Sequence, residues 1–386
     1  MFVAQYALNI VAPTLNYSAG PVGLIPVVKD NIVDFSSYAS ENISICQKDW
    51  DTHETSWDFK INDLLRVLRE EQNLSNKSSW YLETLMEYYK SEWEGRFEQL
   101  HKNEEELNRQ FIEIYGLQDE LTPDVPLNEV TILQQGEISI EDNQVVWHED
   151  VIIKQLISYI IGCYMGRYRL DREGLAIAHP NPTAEEIAAY NFTNVFGIER
   201  SFEIDVDGLI PALPSDSGFA DNALIAVRQF IQNVFGDDSY AANLNYIENC
   251  LGKPLEDYLF KDFWNDHKKM YQNRPIYWLF SSKKGAFKVL AYCHRMTRHT
   301  AEQVRQKYLL PYIDRMKGRA DEIQAKGAGA TVAERRQLKS LTSSIAECEE
   351  YHTRLHAVAD QQIAFDLDDG VVHNYALFGD VLSKIK

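Results

Sequence analysis

WYLETLMEYYKSEWEGRFEQLHKNEEELNRQFIEIYG, residues 80–116, decides the fold class of this chain. Its apolar residues Leu82, Leu85, Met86, Tyr89, Trp93, Phe97, Leu100, Leu107, Phe111, Ile112 and Tyr115 recur at helical spacing with Glu and Lys between them, and Gly116 follows as a stop. The pattern predicts an amphipathic helix pair or one long helix packed on a partner, with Glu104, Glu105 and Glu106 on its solvated face.

Outward from this run the signals alternate. Residues 1–35, with Pro13, Gly20, Pro21, Gly23 and Pro26 breaking short apolar runs, read as strands and loops, the remnant of a sheet that an upstream segment or a partner completes. Helix begins near Ser44, and residues 117–149 read as a Pro-containing connection with a short strand pair around 131–140. A strongly apolar helix is expected over 151–168, irregular structure with short strands over 171–214, and helix again over 221–251 and 255–271. A strand-like run follows at 275–280, then helices over 288–325, and a helical hairpin through Gly327–Ala330 into 332–359. The expected class is predominantly α-helical α+β. Its expected parts are a strand remnant over 1–40, a helical spacer over 41–145, and a mixed helix and short-strand domain over 146–386.

Composition narrows the classes of function. The 386 residues, 45% hydrophobic and 12% aromatic, suffice for two or three compact cores. No run approaches the length of a membrane span and no secretory leader is legible, so the reading is a cytoplasmic protein with no membrane partner. Cys46, Cys163, Cys250, Cys293 and Cys348 are widely spaced with no CxxC, and read as reduced and mostly buried.

The formal charge of -20 argues against a uniform nucleic-acid surface. The average hides an asymmetry: residues 261–320 hold 14 Lys or Arg against 4 Asp or Glu, a net +10, which leaves -30 on the rest. This segment either meets phosphates or salt-bridges to acidic neighbours. Within it Arg274, Lys283 and Lys284 flank a strand and turn, and Lys288, Arg295, Arg298 and Arg305 are expected on one broad helical face. Arg and Lys there can neutralise phosphates or read guanine edges, whereas Tyr277, Trp278 and Phe280 read as core. His294 and His299 suit phosphate contact or solvation better than metal.

Enzymatic signatures are missing. The sequence has no PP dipeptide, hence no [DNS]PP[YFW] loop for amino methylation, and no GxxxxGK[ST] or HExxH. Its one Gly-rich stretch, Gly327–Gly329, reads as a helix-hairpin turn, and Asp366, Asp368 and Asp369 read as turn residues before Gly370. No catalytic, metal or cofactor site is expected in this chain.

The run NRPIYWLFSSKKGAFKVLAYCHR, residues 273–295, resembles the corresponding run of the PglX adenine-specific methyltransferases of BREX phage-defence systems. Residues 14–28 (TLNYSAGPVGLIPVV), 48–59, 107–132, 157–175, 205–224 and 366–378 are similar to that family in the same order, so the resemblance covers almost the whole chain. It implies the target-recognition and C-terminal portion of an enzyme that methylates adenine N6 in a short DNA site. The S-adenosylmethionine and catalytic motifs would lie upstream. It further implies double-stranded DNA as partner, together with other BREX proteins and a phage-encoded DNA mimic. The competing reading is a docking platform for such proteins. The DNA contacts expected from the residues are Arg274, Lys283, Lys284, Lys288, Arg295 and Arg298.

Overall fold

A computed structural model describes residues 2–11, 19–28, 35–74, 80–188, 204 and 206–385. In chain order the helices are α1 (Phe2–Val11), α2 (Ala19–Gly23), α3 (Ser36–Asp51), α4 (Asp63–Leu74), α5 (Leu82–Tyr115), α6 (Glu149–Tyr164), α7 (Ala184–Ala188), α8 (Ala223–Phe235), α9 (Tyr240–Leu251), α10 (Leu255–Lys261), α11 (Phe263–Met270), α12 (Thr300–Gln303), α13 (Leu310–Ala325), α14 (Val332–Ala359) and α15 (Val371–Leu377). The strands are β1 (Ile138–Glu141), β2 (Gln144–Trp147), β3 (Leu209–Pro211), β4 (Tyr277–Ser281) and β5 (Lys288–Tyr292). The chain is α+β and predominantly helical, as expected, and divides into two compact units, residues 1–56 with 86–151 and residues 57–85 with 152–386.

The stripe along residues 80–116 is realised as one continuous helix, α5, which from residue 86 onward belongs to the first unit and there buries Tyr89, Trp93, Phe97, Leu100 and Ile112. A buried ion pair holds α3 to the loop that follows α5. His53 Nε2 lies 2.7 Å from Glu137 Oε1, and the Asp49 carboxylate accepts the Leu133 amide at 2.9 Å. Burial alone would lower the His53 pKa, but the hydrogen bond and charge of Glu137 outweigh it and the net shift is upward.

Two expectations in this unit are corrected. Residues 2–11 are helix, not a strand remnant: the less exposed positions are Phe2 and Val3 and then, one turn on, Tyr6, Ala7 and Leu8, whereas a strand would alternate. The Phe2 amide donates to Asn108 Oδ1 at 3.3 Å, and Tyr6 hydrogen-bonds Glu120. The strand pair lies at 138–147, not 131–140, because Leu133 and Gly136 take positive φ and break the earlier run. Asp142 and Asn143, at φ 48° and 58°, close that hairpin in the left-handed geometry of a two-residue turn.

The second unit is built on α6, which is buried almost without interruption from Ile152 to Tyr164. The sheet order is β3-β5-β4, antiparallel throughout, with Tyr277 opposite Tyr292 and Ser281 opposite Lys288. All five β4 residues are buried. Leu382 bridges Phe280, and the Ser383 amide donates to the Leu279 carbonyl at 2.8 Å, so residues 382–383 act as a strap beside β4. Helices α13 and α14 form the expected hairpin through the turn Gly327–Gly329, and Thr331 with Glu334 makes a reciprocal capping box on α14. Cys348, Tyr351 and Leu355 are the buried stripe of α14.

Residues 288–292, expected as the start of a helix, are strand β5. Four of its five residues are buried, so the polar-apolar alternation that marks a strand is missing from the sequence. Lys288, Arg295, Arg298 and Arg305 therefore share no helical face: they lie on β5, a single 3-10 turn, a loop and a π-helical turn (Val304–Leu309).

Candidate nucleic-acid interface

The six-residue connection from β4 to β5 carries two of the expected contacts. Its shape comes from its own backbone: the Ser282 amide donates to the Phe287 carbonyl, the Gly285 amide donates to the Ser282 carbonyl, both at 3.0 Å, and the Phe287 amide donates to Ser282 Oγ at 2.9 Å. Gly285 sits at φ +79°, where a side chain would be strained. Lys283 and Lys284 are thereby held exposed at the tip.

This turn forms one side of a groove of about 970 Å³ in the second unit. The other sides come from Trp264 and Asn265 of α11, Glu350 and Arg354 of α14, and residues 375–385. Lys283, Lys284, Lys288, Arg354 and Lys384 face Glu350 and Asp380 there, five cations against two carboxylates, a net +3 in a chain of -20. Arg354 Nη1 donates to Asp380 Oδ2 at 2.8 Å, and its guanidinium packs 5.6 Å from the Tyr351 ring. The Lys268 ammonium lies over the Trp264 ring at 5.1 Å and reaches the Lys384 carbonyl at 3.5 Å.

The expected residues separate in space. Lys283 and Lys284 are exposed on the groove. Lys288 lines it too, but its ammonium donates to the Phe260 carbonyl and stacks on the Phe260 ring at 4.5 Å, and burial lowers its pKa. Arg274 and Arg298 are exposed but do not line the groove.

Arg295 is corrected: it is 3% exposed, with Nη1 donating to the Met165 carbonyl at 3.0 Å and Nη2 to the Val206 carbonyl at 2.5 Å. Glycines make room for it, since a Cβ at Gly208 would stand 3.1 Å from the Arg295 Cβ. It pins loops together and is closed to phosphate. His294 is also drawn inward, and burial, then the charge of Arg167, lowers its pKa to about 4.

Sequence reasoning missed Arg354 and Lys384, which the fold brings to the turn from far along the chain. Arg354 stands three residues after Tyr351, beside the apolar stripe of α14, and that was the available signal.

The one Gly-rich stretch does not fit a nucleotide-cofactor loop. Gly327–Gly329 is a 3-10 turn between two polar helices, with the Gly329 amide spent on the Lys326 carbonyl at 2.8 Å. Asp366 likewise serves as a cap, accepting the Asp368 amide at 3.0 Å.

The chain, a helix-rich α+β fold with a cationic groove, is similar to a portion of adenine-specific methyltransferases. In particular it is PglX-like. It is 35% identical to the adenine-specific methyltransferase BrxX of Escherichia coli O9:H4 (strain HS), over 99% of this chain and 32% of that protein. It is 33% identical to the adenine-specific methyltransferase PglX of Lacticaseibacillus casei (strain Zhang), over 96% of this chain and 30% of that protein. The chain thus spans about a third of the length of the relatives it matches. No family model matches it.

Proposed function

We propose that this chain is the C-terminal, DNA-contacting portion of an adenine-N6 DNA methyltransferase of the BREX type, acting in the cytoplasm against phage. In this reading the groove holds the phosphodiester backbone of double-stranded DNA through Lys283, Lys284, Arg354 and Lys384, with Lys288 at its edge. Residues 146–386 carry recognition, and S-adenosylmethionine and methyl transfer belong to residues outside this chain. The observation that carries the reading is the concentration of cations on one groove of a strongly acidic chain that is similar to adenine-specific methyltransferases. Phosphate contacts position a duplex, while sequence is read by base-edge contacts nearby.

The test is a salt titration of duplex binding by the full chain and by K283E/K284E. Binding that weakens steeply with salt, with a shallower slope and lower affinity in the variant, supports the reading. Equal affinity of the two proteins at low salt overturns it.

A second reading, a docking surface for other BREX proteins, is favoured by α3. Ile43 and Trp50, seven residues apart on one helical face, are 66% and 59% exposed. A phage-encoded DNA mimic would be a third kind of partner, competing for the same cationic groove, and duplex would then displace it.

A further inference from the structure

The tip of the β4–β5 turn presents backbone donors as well as lysines. The Lys284 amide donates to Glu347 Oε1 at 2.7 Å, and the Ala286 amide points at the same oxygen at 3.3 Å. Gly285, at φ +79° between them, spends its own N–H on the Ser282 carbonyl and lets the flanking Lys284 and Ala286 N–H groups converge, the geometry of an anion-binding nest. The turn does not depend on Glu347 for its shape, because the Ser282, Gly285 and Phe287 hydrogen bonds already close it. Glu347 comes from α14 and is half-buried, on the helix that also supplies Glu350 and Arg354 to the groove. Its carboxylate rests on amides, with Lys283 and Lys284 beside it on the same turn.

We propose that this nest is a phosphate seat, that the Glu347 carboxylate fills it in the free protein, and that a backbone phosphate of the nucleic acid displaces the carboxylate. The ligand's identity rests on the proposed function; the seat itself does not. A carboxylate and a phosphodiester each offer one negative charge and oxygen acceptors, so the two amides are satisfied in either state. The exchange lets Lys283 and Lys284 close on an anion that is part of a polyanion. It also makes Glu347 a brake on binding, since each association must first move a negative charge out of the seat.

The experiment uses the full chain with Lys and Ala amides labelled with nitrogen-15, in wild type, E347Q and E347A. Inorganic phosphate is the first probe: the Lys284 and Ala286 amide signals should respond at about tenfold lower concentration in the variants than in wild type. A 20-base-pair duplex is the second: both variants should bind about fivefold tighter with the log-log salt slope of wild type, since the seat holds a phosphate in every complex and only the carboxylate to be displaced is gone. E347Q keeps an acceptor oxygen for the two amides and so separates loss of the charge from loss of the hydrogen bonds.

Amide signals of E347Q that stay indifferent to phosphate overturn the seat, as do unchanged or weaker duplex affinities in both variants with melting temperatures intact. Should phosphate move those amides in E347Q while no protein binds duplex, the seat stands and the DNA reading falls.

Discussion

The two ends of strand β5 carry the same kinds of residue and put them to opposite uses. At the Lys288 end, the turn holds Lys283 and Lys284 in water beside a groove. At the Tyr292 end, Arg295 and Arg167 are 3% and 6% exposed, and Arg167 lies among the rings of Tyr168, Tyr271 and Tyr277 at 4.8–5.8 Å. His267, stacked on Tyr277 at 4.3 Å, accepts the amides of Ile276 and Tyr277 through Nε2, which leaves its proton on Nδ1. Charge count along a sequence therefore says little about which cations meet a partner. Here a single sheet sorts them, one end to the surface and one to the interior.

The sharpest way to break this comparison is to exchange the losses. Arg295→Ala should destabilise the second unit by about 3 kcal/mol, since it strands the buried Met165 carbonyl, releases that of Val206 and leaves a cavity. Denaturant unfolding measures it, and an intact midpoint would mean that Arg295 is no pin. K283E/K284E should leave that midpoint in place and weaken duplex binding about 100-fold at low salt, roughly 2.7 kcal/mol.

Acidification gives the next effect, with opposite signs in the two units. Burial, then the charge of Arg167, holds the pKa of His267 well below its usual value and that of His294 near 4, so the unfolded chain takes up protons that the folded one refuses. Stability of the second unit should fall as pH drops from about 6.5 toward 4, by about 1.4 kcal/mol per pH unit for each such group. His53 is raised, so its contribution to the first unit is full below about 6.5 and is lost as pH climbs through its folded value. Hydrogen exchange followed unit by unit between pH 5 and 8 would show the two trends, and parallel trends would refute the assignment. The smallest effect belongs to Arg274→Ala and Arg298→Ala, exposed and off the groove, which should change stability by no more than about 0.5 kcal/mol and duplex affinity less than K283E/K284E does.

Where a segment has one wet face, its sequence shows it: the stripes of α5 and the α13–α14 hairpin were legible because apolar spacing records a single buried side. Strand β5 was not, because a strand covered on both faces loses its alternation. Residues 2–11 misled because a short apolar run without caps fits either periodicity. The turn that carries Lys283 and Lys284 is marked in the sequence by the Gly285 that follows them. The burial of Arg295 depends on Gly166 and Gly208, and the presence of Arg354 and Lys384 depends on tertiary packing, neither of which a local pattern encodes.

The strap formed by Leu382 and Ser383 bears on how this protein survives at high concentration. β4 is the edge of its sheet, and its run Tyr-Trp-Leu-Phe-Ser is uncharged, aromatic and free of proline. Bared of its cover, such an edge offers unpaired amides and carbonyls to any second copy, the starting point of cross-β stacking. The strap that walls the groove thus also acts as a guard against self-association, and a cut ahead of Leu382 would yield aggregates rather than a soluble protein with a wider groove.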